Sequence, residues 1–154
     1  MTAKAEGRSE DRAPRESRHR SREAAVQMLY QWEVGRASMY EVKQTFWSGP
    51  AGSETVPEDQ RAFATQLAEG VVANQAAIDP MIVEAAEHWR IERMNVMDRL
   101  ILRLAVYEFV HQPETPSKVI INEALELART FSNDDAVRFI NGILDAIRKK
   151  LERE

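Results

Sequence analysis

The sequence predicts an all-α protein of about seven helices. Three observations carry that prediction: beyond the first residues, apolar side chains recur at three and four rather than two, Gly and Pro fall between the periodic stretches, and several stretches open on residues that cap helices. The chain has 154 residues, of which 44% are hydrophobic, with a net charge of -4. That is enough apolar material for one ordinary domain around one core.

Residues 1–16, MTAKAEGRSEDRAPRE, mix charges with small residues and Pro14 and cannot bury enough surface to order themselves alone. They read as a flexible basic arm ahead of a single helical domain over 17–154. The first helix is expected from about Arg18 to Val34, with Gly35 as its stop. Ala25, Met28, Leu29 and Trp32 make one apolar stripe, and Val26, Tyr30 and Val34 make a second, which suits a central helix. Ser38 with Glu41 forms a capping box for a short helix carrying Val42, Phe46 and Trp47, and GPAGSETVP follows as a loop.

From Glu58, the spacing of Phe63, Leu67 and Val71 predicts a third helix that fades near Ala77. Asp79 followed by Pro80 reads as the N-cap and first position of a fourth, reaching about Trp89. Asn95 and Asp98 suit the start of a fifth, whose Leu100, Ile101, Leu104, Ala105, Tyr107 and Phe109 cover so wide an arc that most of it must be buried. Pro113 and Pro116 break the chain, and Thr115 is placed to cap a sixth helix bearing Ile121, Ala124, Leu125, Ala128 and Phe131. Ser132 with Asp135 has the form of a capping box for the last helix, with Val137, Ile140, Leu144, Ile147 and Leu151 on one stripe.

Composition narrows the function. The chain has no Cys, so it offers neither a disulfide nor a thiol nucleophile, which fits a reducing cytoplasm. No apolar run approaches the roughly 18 residues of a membrane span, and no signal-peptide core precedes Ala24. Phosphate-binding and dinucleotide glycine motifs and the serine elbow are absent. Glu84 and His88 share a helix face at i and i+4 but find no third ligand, which suits a surface pair rather than a metal site. Neither a cofactor nor catalysis is expected.

Two features stand apart from this pattern. At about 100° per residue, Phe139 lies roughly 120° from the centre of the last stripe, beside Arg138. It serves either to pack on a second helix or to stack a single-stranded base whose phosphate the arginine holds. The other feature is the opening segment, where Arg12, Arg15, Arg18, Arg20 and Arg22 stand against Glu16 alone. Such a run is either a solvated tail or a local phosphate-binding surface, since salt confines opposing charges elsewhere to about 8 Å.

Four stretches then carry a resemblance: RSREAAVQMLYQWE near the start, LRLAVYE in the fifth helix, and INEALELARTF followed by RFINGILD at the end. In these the chain resembles the NusB family of bacterial transcription antitermination factors. The resemblance implies helices arranged in two small antiparallel bundles. It also implies binding to the boxA RNA of ribosomal RNA operons together with the ribosomal protein NusE, so that RNA polymerase resists termination. By position it assigns RNA contacts to Arg18, His19, Arg20, Arg22, Tyr30, Asp135, Arg138 and Phe139, and the protein partner to Glu87, Glu92 and Asp98. His19 stands where relatives often have arginine, which removes a full-time charge. Asp135 would accept hydrogen bonds from the amino edge of a base while favouring the helix N-terminus. A protein-binding adaptor, or an accessory like the domain that precedes some ribosomal RNA cytosine methyltransferases, would share this fold. A homodimer is compatible with the same apolar faces.

Overall fold

The computed structural model describes the backbone of residues 2–48, 56–87 and 89–154, with side chains from Pro14 onward. Among these residues all regular structure is helical: α1 (Thr2–Glu33), α2 (Met39–Thr45), α3 (Glu58–Ala85), α4 (Val96–His111), α5 (Ser117–Phe131) and α6 (Asp134–Lys150). Short 3-10 turns occupy Phe46–Ser48 and Ile91–Arg93.

α4 fills the centre because its sequence leaves it no polar face. Every residue from Leu100 to Phe109 is buried. α1 and α3 pack on each other, α5 and α6 pack on each other, and α4 touches all four. This gives the two small bundles, with one shared helix. Each fully buried Leu or Ile of α4 contributes about 1.5 to 3 kcal/mol. Gly70 of α3 faces Tyr107 of α4, and a Cβ there would overlap the tyrosine ring, so glycine is what lets the two helices close.

The caps at Ser38 and Asn95 behave as expected: Ser38 Oγ accepts from Glu41 N at 3.1 Å and Asn95 Oδ1 from Met97 N at 2.9 Å. Other boundaries differ. The expected third and fourth helices are one, because α3 runs straight through Pro80 and keeps Ile78 and Ile82 on its buried face. Asp79 is therefore no cap. Its carboxylate accepts from Arg103 Nε at 2.9 Å and Nη2 at 3.1 Å, and that bidentate pair tethers α3 to α4 across the proline.

α6 is capped by Asn133, whose Oδ1 accepts from Ala136 N at 2.9 Å, and not by Ser132. The serine hydroxyl is turned to Asp98 instead. Thr115 does not cap α5: Pro116 holds that position, and the Thr115 carbonyl accepts from Arg153. At the end of α1 the left-handed residue is Arg36, with φ 55°, and not Gly35. Gly35 is needed for closeness, since a Cβ on it would lie 2.6 Å from the Gln31 carbonyl oxygen. α1 also begins at Thr2, ahead of the expected start at Arg18, so the backbone of the expected arm continues the helix through Pro14. Its alanine, glutamate, arginine and lysine content is that of a helix former. The predicted loop GPAGSETVP falls largely at 49–55, outside the described residues.

Candidate RNA interface

The basic segment of α1, residues 18–22 midway along the helix, lies beside the start of α3 and the first half of α5. Ser21 Oγ donates to the Gln60 carbonyl at 2.9 Å, and His19 Nδ1 lies 2.6 Å from Glu123 Oε2. Helical rotation then separates the four predicted cations. Arg18 and Arg20 are exposed. His19 is half-buried, with Glu123 on one ring nitrogen and Glu23, at 2.7 Å, on the other. Arg22 is buried, 3% exposed, and holds Glu108, itself 2% exposed, through Nε at 3.0 Å and Nη2 at 2.7 Å. Phe63 offers its ring to the same guanidinium at 5.8 Å. Two nitrogens of Arg22 are thus committed to the fold, whereas Arg18 and Arg20 stay open to solvent.

Tyr30 lies twelve residues further along α1 from Arg18, about 18 Å at the helical rise. It is 41% exposed, so the second stripe is only partly a packing surface. The first turn of α4 links this end of α1 to the start of α6. Arg99 Nη2 donates to Glu33 at 2.8 Å, and its neighbour Asp98 accepts from Ser132 Oγ at 2.7 Å. Tyr30 and the first turns of α6 therefore share one end of the fold.

On α6, Asp135 and Arg138 are exposed, and Phe139 is half-buried. Phe139 meets Trp89 edge to face, with ring centres 5.6 Å apart and planes at 67°. It does pack on a second element, as the plainer reading of its off-stripe position had it, and it keeps a free part. Trp89 is the residue that sequence reasoning missed. It is 56% exposed, in the turn after α3. An aromatic outside any apolar stripe was the available signal, obscured because Trp89 was read as the end of a helix.

Of the residues assigned to a protein partner, Glu87 and Glu92 are exposed and Asp98 is not. At 8% exposure and with Ser132 as donor, Asp98 joins α4 to the α5–α6 turn. Glu84 pairs with Lys150 across α3 and α6, and His88 lies outside the described residues. Among the described residues there is no group of three or more side chains suited to a metal, and no helix long and apolar enough to cross a membrane.

An all-helical two-bundle fold does not by itself fix a function, and relatives of known role supply the class. The profile of the NusB family matches residues 19–149, and the chain belongs to that family. The transcription antitermination protein NusB of Koribacter versatilis is 45% identical over 90% of this chain and 92% of its own. NusB of T. maritima has the same fold, with a TM-score of 0.77 and 33% identity over 86% of this chain and 91% of that one. A structure of antitermination factors NusB and NusE in complex with double-stranded RNA superposes with a TM-score of 0.78 at 23% identity, covering 88% of this chain and 98% of that one. The relatives are transcription antitermination factors and not enzymes.

Proposed function

We propose that this protein is a transcription antitermination factor of the cytoplasm that binds the boxA RNA of ribosomal RNA operons jointly with NusE and acts on the elongating RNA polymerase. The observation that carries the reading is the placement of its free cations and free rings. Arg18 and Arg20 are exposed midway along α1, and Tyr30, Arg138 and the Phe139–Trp89 pair lie toward its C-terminal end. Guanidinium groups bind the backbone of a single strand, and rings further along the surface, Tyr30 about 18 Å up the helix among them, stack its bases. A NusB protein of the same fold has been crystallised with NusE and RNA, which supports both partners. Glu87 and Glu92 are the acidic groups open to a basic ribosomal protein, where they would steer association and fix register.

Arg22 and Asp98 enter this reading as positioning residues, since each is held by an interior partner. Asp135, exposed in the first turn of α6, is free to accept from a base amino group. The test is binding of single-stranded boxA RNA and of a scrambled control, with and without NusE. The expected result is a preference for boxA that NusE increases. Equal, weak binding to both RNAs with NusE present would instead leave a protein-binding adaptor.

A further inference from the structure

Between the middle of α1 and the first halves of α3 and α5 lies a cleft of about 460 Å³, and nothing above gives it a role. Its volume is in the range that holds a small organic molecule. Arg15, Arg18 and Arg22 line it from α1, Phe63 from α3, and Asn122 from α5. The three arginines recur at three and four, so they fall on one face of α1. Arg20 faces elsewhere and does not take part.

Three observations give the cleft a chemistry. The first is the third nitrogen of Arg22. Nε and Nη2 are held by Glu108, whereas Nη1 stands 3.9 Å from Glu123 Oε2, too far for a hydrogen bond. Among the described residues this donor of a 3% exposed guanidinium makes no hydrogen bond, and the residue lines the cleft. The second is Phe63, a half-buried ring on the wall with the Arg22 guanidinium against it. The third is the remaining polar lining: the exposed amide of Asn122 donates and accepts, and Glu114 and Glu123 only accept when ionised. A bare anion site would not be lined by two carboxylates. A nucleotide needs all of these, because its phosphate asks for cations and its base asks for a ring and for both donors and acceptors.

We infer that this cleft takes one nucleotide turned out of the bound RNA strand. Its base lies against Phe63 and is read by Asn122 and the carboxylates, and its phosphate sits at Arg15 and Arg18. Arg22 Nη1 donates to a base carbonyl. The carboxylates favour a base that carries an amino group and disfavour uracil, which offers two carbonyls around one N–H. This deepens the RNA reading and rests on it.

The test is an abasic scan. Single-stranded boxA RNAs, each lacking one base in turn, are titrated against the NusE complex of the full chain and of its Asn122→Ala and Phe63→Leu variants. Asn122 is exposed and carries no hydrogen bond that folding needs, so Asn122→Ala serves if Phe63→Leu fails to fold. Among the positions where base loss weakens binding, one is expected to belong to the cleft, with a loss of about tenfold to a hundredfold in the unmodified protein, the range of one stacked base. At that position alone, the loss shrinks in both variants. If the unmodified protein binds boxA RNA and no position is coupled to either variant, the cleft is not a base site while the RNA reading stands. If it binds no RNA even with NusE, both fall together.

Discussion

Arg20 and Arg22 are two residues apart on α1, about 200° around the helix. That rotation leaves the Arg20 guanidinium in solvent and sets the Arg22 guanidinium, 3% exposed, against Glu108 on α4. In the sequence the two belong to one cationic run. In the fold they belong to different problems. A buried guanidinium has lost its water, and only a bidentate partner at close range makes its position tolerable. An exposed one remains hydrated and available, and its attraction for phosphate is felt over about a Debye length. The same contrast recurs on α4, where Arg103 is 4% exposed and closed in by Asp79 and Glu33.

Removing one member of the interior pair is the largest perturbation. Arg22→Ala leaves Glu108 buried without its partner and is expected to lower stability by about 3 to 5 kcal/mol in urea unfolding. Replacing the two together, with Arg22→Met and Glu108→Leu, should recover most of that loss, because no buried charge remains. Equal losses in the single and double variants would mean that packing, not charge, sets the cost. The next effect belongs to the aromatic end. Phe139→Ala is expected to weaken RNA binding by about 1 to 3 kcal/mol, measured by titration of the NusE complex. Trp89→Ala sharpens the result, since the Trp89 ring braces Phe139 edge to face. An unchanged affinity in both would remove the rings from the interface.

The helical fold was legible because it is written in local terms. The unbroken arc from Leu100 to Phe109 could only be an interior helix, and Ser38 and Asn95 cap as their types suggest. What could not be read were choices between neighbours with equal local claims. Ser132 and Asn133 can both cap α6, and the proximity of Asp98 draws the serine away. Asp79 before Pro80 has the form of a helix start, and Arg103, twenty-four residues on, turns it into a tether within a continuous helix. The candidate site divides likewise. Arg18 and Arg20 were visible as members of a cationic run opposed by Glu16 alone, and Phe139 as a ring off its stripe. The burial of Arg22 and Asp98 depends on Glu108 and Ser132, distant in sequence, and no spacing announces it.

The smallest expected effect tests the central division most directly. Affinity for single-stranded boxA RNA, measured with NusE across a salt series, gives the number of phosphate contacts from the slope of log affinity against log salt. With Arg18→Ala and Arg20→Ala the slope should fall by about 0.7 for each residue removed, while the urea midpoint stays where it is. A slope unchanged by both substitutions would contradict the account, since Arg18 and Arg20 would then touch no phosphate.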